Sequence, residues 1–151
     1  MGKRSTTTGY WRAHGDSKRV ATAAVMPVVL GITGIDATLA TTGILTGKFM
    51  PVGAIPLRVD VVGNGTGGTG PLLDVGLNLA TPDNDGLLVG ADPEANSSSG
   101  LGATEAGVLM GVALTETAEV TVSDGGGVNS TGGTFDLFIY YTFVDDGVAN
   151  D

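Results

Sequence analysis

The side chains able to do chemistry in this chain are few and scattered. Gly63-Asn64-Gly65-Thr66-Gly67-Gly68 has the G-x-G-x-x-G spacing of a dinucleotide-binding turn. Such a turn works by aiming the free N–H groups of a following helix at a pyrophosphate. Here Pro71 and another strand-like run follow instead, so the segment reads as a hairpin loop. Asp83-Asn84-Asp85-Gly86 collects oxygen atoms of the kind Ca²⁺ prefers. It lacks the twelve-residue loop with its closing Glu, and Asx-Gly clusters are ordinary turn formers; Asp145 and Asp146 are read the same way. His14 is the only histidine, no Ser sits in a G-x-S-x-G elbow, and Glu116 and Glu119 are paired by spacing alone. Asn96-Ser97-Ser98 and Asn129-Ser130-Thr131 match the glycosylation pattern, which has a consequence only on a secreted chain. No catalytic set, metal site or cofactor is expected, and the chain is not expected to be an enzyme.

The elements that would carry these residues are strands. From Val20 onward, apolar stretches of strand length alternate with turn chemistry: Val20–Leu30, Gly43–Met50, Ile55–Val62, Leu72–Leu79, Gly86–Val89, Val108–Leu114, Glu119–Ser123 and Thr134–Val144. Leu57, Val59 and Val61 alternate with Arg58, Asp60 and Val62, and Val120 and Val122 with Thr121 and Ser123. A period of two rich in β-branched residues means one buried and one wet face. The intervals 63–70, 81–85, 92–102 and 124–133 are heavy in Gly, Asn, Asp, Ser or Pro. Residues 97–109 are expected to hold one helical turn at most. About eight short strands at this spacing predict an all-β fold, a single antiparallel β-sandwich of jelly-roll or Ig-like type. No fixed-period repeat is present.

At 151 residues the chain fits one domain able to bury about 70% of its unfolded surface. With no cysteine, disulfides and thiolate metal sites are excluded. Gly contributes 26 residues and aromatics only 5%, so the core is expected to be built mainly from Val, Leu, Ile and Ala. No apolar run approaches the ~18 residues of a membrane span, and no apolar region follows the first charged residues as in a secretory signal, so neither a membrane nor a standard secretion route is expected.

The net charge of −9 is unevenly spread. Residues 1–19 hold Lys3, Arg4, Arg12, Lys18 and Arg19 against the single acid Asp16, whereas the remainder sets Lys48 and Arg58 against fifteen acids. An acidic body argues against nucleic acid, whose phosphates need a basic surface. The domain division expected is a basic arm over residues 1–19 and a sandwich over residues 20–151. The arm has no sustained apolar period and cannot fold alone. Extended, it reaches about 60 Å. Lys3, Arg4, Tyr10, Trp11, Arg12, His14, Lys18 and Arg19 are the expected partner-binding residues, because Trp, Tyr and Arg dominate interface energetics and the cations suit an acidic surface, that of another copy included.

The run Phe49-Met50-Pro51-Val52-Gly53-Ala54-Ile55-Pro56-Leu57-Arg58-Val59-Asp60-Val61-Val62 resembles the small β-sandwich structural proteins of tailed bacteriophage heads. A polar Gly/Thr loop, then Leu72-Leu73-Asp74-Val75-Gly76, the Thr/Val strand Glu119-Val120-Thr121-Val122, and a Gly-rich turn before Phe135-Asp136-Leu137-Phe138-Ile139-Tyr140-Tyr141 continue the likeness over residues 43–144. The resemblance implies a capsid decoration, or cement, protein: a virion component on the outer surface of the capsid, binding the assembled major capsid protein lattice as a homo-oligomer, with a trimer favoured. It carries over no catalytic residue. Head-fibre and tail-associated proteins that bind receptors or carbohydrates use similar sandwiches, and that is the alternative.

Overall fold

A computed structural model describes residues 27–64, 73–92, 98–125 and 133–143. The arm at residues 1–19, its boundary at residue 20 and the loop 65–72 lie outside the described residues. Eight strands follow in chain order: β1 (Val28–Asp36), β2 (Ile44–Met50), β3 (Ala54–Asn64), β4 (Leu73–Asn78), β5 (Asp83–Ala91), β6 (Ser98–Gly100), β7 (Ala118–Asp124) and β8 (Thr134–Phe143).

The strands form two four-stranded antiparallel sheets, ordered β1-β8-β3-β6 and β2-β7-β4-β5. First pairs with last, second with seventh, third with sixth and fourth with fifth. This is one long hairpin rolled over on itself, which is the jelly roll of the two architectures expected from sequence. Among the described residues there is no helix. The even positions of the β3 and β8 patterns decide their faces. Phe135, Leu137, Ile139 and Tyr141 point inward and are buried with Val59 and Val61, while Asp136, Phe138 and Tyr140 face outward with Arg58 and Asp60. Leu73, Val75 and Leu77 of β4, Leu87 and Leu88 of β5, and Val120 and Val122 of β7 complete the core. Phe135 is its largest fully buried side chain.

Four expectations need correction. Of the strand expected over Val20–Leu30, residues 20–26 lie outside the described residues, Pro27 is in no strand, and Val28–Leu30 open β1, which runs on to Asp36. Val108–Leu114 is no strand. It belongs to a run of turns, 101–117, whose successive short bonds (Ala103 N–H to the Gly100 carbonyl, Met110 N–H to the Gly107 carbonyl) never propagate into a helix. β6, three residues long, was not foreseen. Thr121 and Ser123 are buried rather than wet, because β5 covers part of the outer face of its own sheet. Between the paired positions Leu77↔Asp83 and Val75↔Leu88, five steps along β5 answer two along β4. The surplus, Asn84-Asp85-Gly86, bulges outward, and its backbone lies against Gly76 of β4. The turn chemistry of Asp83-Asn84-Asp85-Gly86 is therefore spent on a bulge within β5.

The two long sides of the sandwich are finished differently. On the β6/β5 side the 101–117 segment bridges the sheets. Gly111 N–H donates to the Pro56 carbonyl and Leu114 N–H to that of Ala54, whereas Val89 N–H donates to the Glu105 carbonyl and Leu109 N–H to that of Gly86. On the other side β1 and β2 are, among the described residues, the outermost strands of their sheets.

Candidate functional site

All eight residues expected to bind a partner, Lys3, Arg4, Tyr10, Trp11, Arg12, His14, Lys18 and Arg19, lie outside the described residues. Among the described residues, several acidic side chains lie on β4, on β5 with its bulge, and on β7. Asp74 Oδ1 accepts from the Gly90 N–H at 2.7 Å. Burial pushes the Asp74 carboxyl above the ordinary carboxylate range, the Gly90 bond opposes this, and the charges of Asp85 and Asp124 add to the rise. Asp83 is raised first by burial, then by its side-chain hydrogen bond with Asp85 and by that neighbour's charge. Asp85, on the bulge, thus acts on Asp74 and on Asp83, while Asp124 acts on Asp74. Among the described residues no three His, Cys, Asp or Glu side chains have the geometry to hold a metal ion.

The outer face of the other sheet carries a second arrangement. Arg58 Nε donates to Asp60 Oδ1 at 2.6 Å, and its guanidinium lies 5.5 Å from the centre of the Tyr140 ring. The hydrogen bond to Asp60, then that residue's charge, raise the Arg58 pKa further. Phe138 lies across Gly31, where even an added Cβ would touch its ring at 3.5 Å. An Arg and two aromatic rings, fixed on a rigid sheet, can offer stacking area and donors together.

The third arrangement is apolar. Val28, Val29, Ile44, Leu45 and Phe49 are exposed along the β1 and β2 edges; Val89, Leu101, Val108 and Val112 are exposed on the bridged side. Sequence reasoning assigned Ile44, Leu45 and Phe49 to a strand, and Val108 and Val112 to another, without seeing that both runs end at the surface. The outward aromatics were legible in principle, since the alternation from Phe135 to Tyr141 sends every second residue out.

No family model matches the chain, and no curated protein matches it. Among solved structures, a chain of the capsid of Ralstonia phage GP4 has a similar fold, with a TM-score of 0.54 and 19% sequence identity over 82% of this chain and 89% of that one.

Proposed function

We propose that the chain is a structural protein of a tailed-phage virion: a capsid decoration, or cement, protein that binds the assembled major capsid protein lattice on its outer surface, as a homo-oligomer, and stabilises the head. The observation that carries this reading is the fold shared, over 82% of this chain and 89% of the other, with a chain of the GP4 phage capsid. The order of motifs over residues 43–144 supports it from the sequence side. The work is adhesion rather than bond-making. In this reading the cationic arm docks on acidic surface, and many weak contacts across a repeating lattice become durable through effective concentration. The test is to add the full chain, and the chain lacking residues 2–19, to shells stripped of the protein. Shell binding by the full chain and its loss on deletion is the expected result. Equal occupancy by the two proteins would remove the arm from the mechanism, and no occupancy by either would remove the decoration role.

A second reading, a head-fibre or tail-associated protein binding a receptor or carbohydrate, is favoured by one observation, the Arg58–Tyr140–Phe138 face. Saturable binding in a glycan screen, lost in Tyr140→Ala, would support it over the first.

A further inference from the structure

Strand pairing sets two aromatic rings beside an ion pair on the outer face of the β1-β8-β3-β6 sheet. Tyr140 of β8 stands opposite Arg58 of β3, and Phe138 stands opposite Asp60 of β3 on one side and Gly31 of β1 on the other. Alternation sends these positions outward while Leu137, Ile139 and Tyr141 fill the core. The rings and the ion pair belong to β8 and β3, the two inner strands of the sheet, so paired backbone rather than a loop fixes where they stand.

The polar half is restrained twice. Arg58 Nε donates to Asp60 Oδ1 at 2.6 Å, and the guanidinium lies 5.5 Å from the centre of the Tyr140 ring. One of the five N–H donors of the guanidinium serves Asp60, and 55% of the Arg58 side chain is exposed. The aromatic half is laid down over a glycine. The Phe138 ring reaches across Gly31, where a Cβ would already meet it at 3.5 Å, so the further methyls of a valine there would lift it.

This combination points to one kind of occupant. A protein partner needs about 800 Å² on each side with an apolar centre, and here an ion pair holds the centre. Nucleic acid needs a cationic surface, whereas Asp60 neutralises Arg58 on this face and the residues beyond 19 set two cations against fifteen acids. The same balance repels carboxylated and sulfated sugars. A neutral pyranose fits: its C–H face complements the negative face of an aromatic ring, and its hydroxyls accept from a guanidinium whose direction is already set.

We infer that this face binds a neutral carbohydrate, with a pyranose stacked on Phe138 and its hydroxyls on Arg58. Gly31 and Asp60 are positioning residues, one for the ring and one for the guanidinium. The inference rests on the carbohydrate reading given above and narrows it to one sugar class and one set of contacts.

The experiment is a glycan array carrying neutral hexose and N-acetylhexosamine oligomers beside uronate-containing, sulfated and sialylated ones. It is probed with the full chain and with Phe138→Ala, Arg58→Ala, Arg58→Lys and Gly31→Val, each verified as folded by circular dichroism and melting. Calorimetric titration with the neutral oligomer that binds best then gives affinities. Saturable binding to neutral glycans is expected, little changed between about 0.05 and 0.5 M salt because no net charge is paired. Affinity should fall about tenfold in Phe138→Ala and in Arg58→Ala, and by less in Gly31→Val. Arg58→Lys keeps the charge and loses the planar fork, so it should fall as far as Arg58→Ala, which separates directed hydrogen bonding from charge. Binding confined to acidic glycans overturns the inference and leaves the carbohydrate reading standing. So does neutral binding that Phe138→Ala and Arg58→Ala leave unchanged. Binding to no glycan removes both.

Discussion

Replacing Gly76 by Ala tests the feature that most shapes one sheet, the β5 bulge lying over β4. A Cβ built on Gly76 would overlap the Asp83 carbonyl oxygen and stand 2.5 Å from Asn84 Cα. Ordinary contact begins at 3.4 Å, so about 0.9 Å of separation is missing, and the obstacle is backbone rather than the end of a flexible side chain. The bulge must lift, and lifting it uncovers Thr121, which is buried opposite Gly76 in the β4/β7 ladder. Overpacking a fixed site costs about 1–3 kcal/mol, and displaced main chain belongs at the upper end, so we expect Gly76→Ala to lose about 3 kcal/mol. For a chain of this size that is a fall in Tm of about 6–12 °C. The control is Gly100→Ala in β6, where a Cβ would find its neighbour, the Leu57 carbonyl, at a comfortable 3.5 Å; it should be neutral or slightly stabilising. Urea midpoints and thermal melts of the three proteins measure this directly. A Gly76→Ala protein melting within about 2 °C of the parent would mean that the bulge does not press on β4, and the account of the buried Thr121 would fall with it.

Other outcomes follow from single groups. The Asp83 carboxyl has its pKa raised by folding, so the folded state holds the proton more tightly than the unfolded chain. Stability therefore falls as pH climbs from the ordinary value of 3.8 through the raised one, and stays lower above it. Asp83→Asn, whose amide can still donate to Asp85, should melt higher than the parent at pH 7, with the difference fading as pH approaches 3.8; an equal or lower melting temperature at pH 7 would contradict the repulsion. Phe135→Ala removes the largest fully buried side chain and should cost about 3–5 kcal/mol, read as a lower urea midpoint. Shell binding through the basic arm should weaken markedly between about 0.05 and 0.5 M salt, because screening shortens the reach of charge pairs.

How far the sequence carried depended on how local the determinants were. β3 and β8 were legible from their alternation: Val59, Val61, Leu137 and Ile139 fall on the face that the pattern assigns, whereas Leu57, expected with them, is only half-buried because the ladder to β8 shifts between Pro56 and Arg58. β7 was found, but its second face was misjudged. Nothing near Thr121 announces that Asn84, far away in the chain, will lie over it. The Val108–Leu114 run has the apolar content of a strand, yet its N–H groups go to different places, Leu109 to the Gly86 carbonyl, Met110 to that of Gly107, Gly111 to that of Pro56 and Leu114 to that of Ala54, so no single ladder partner holds it extended. β6 contains no apolar residue and is held by its partner β3, so no pattern could mark it. Of the candidate site, the charge contrast between arm and body is a property of composition and was visible at once. The two apolar sides were not, since exposure at Phe49 and Val108 follows from which strands end up at the edges of the sheets.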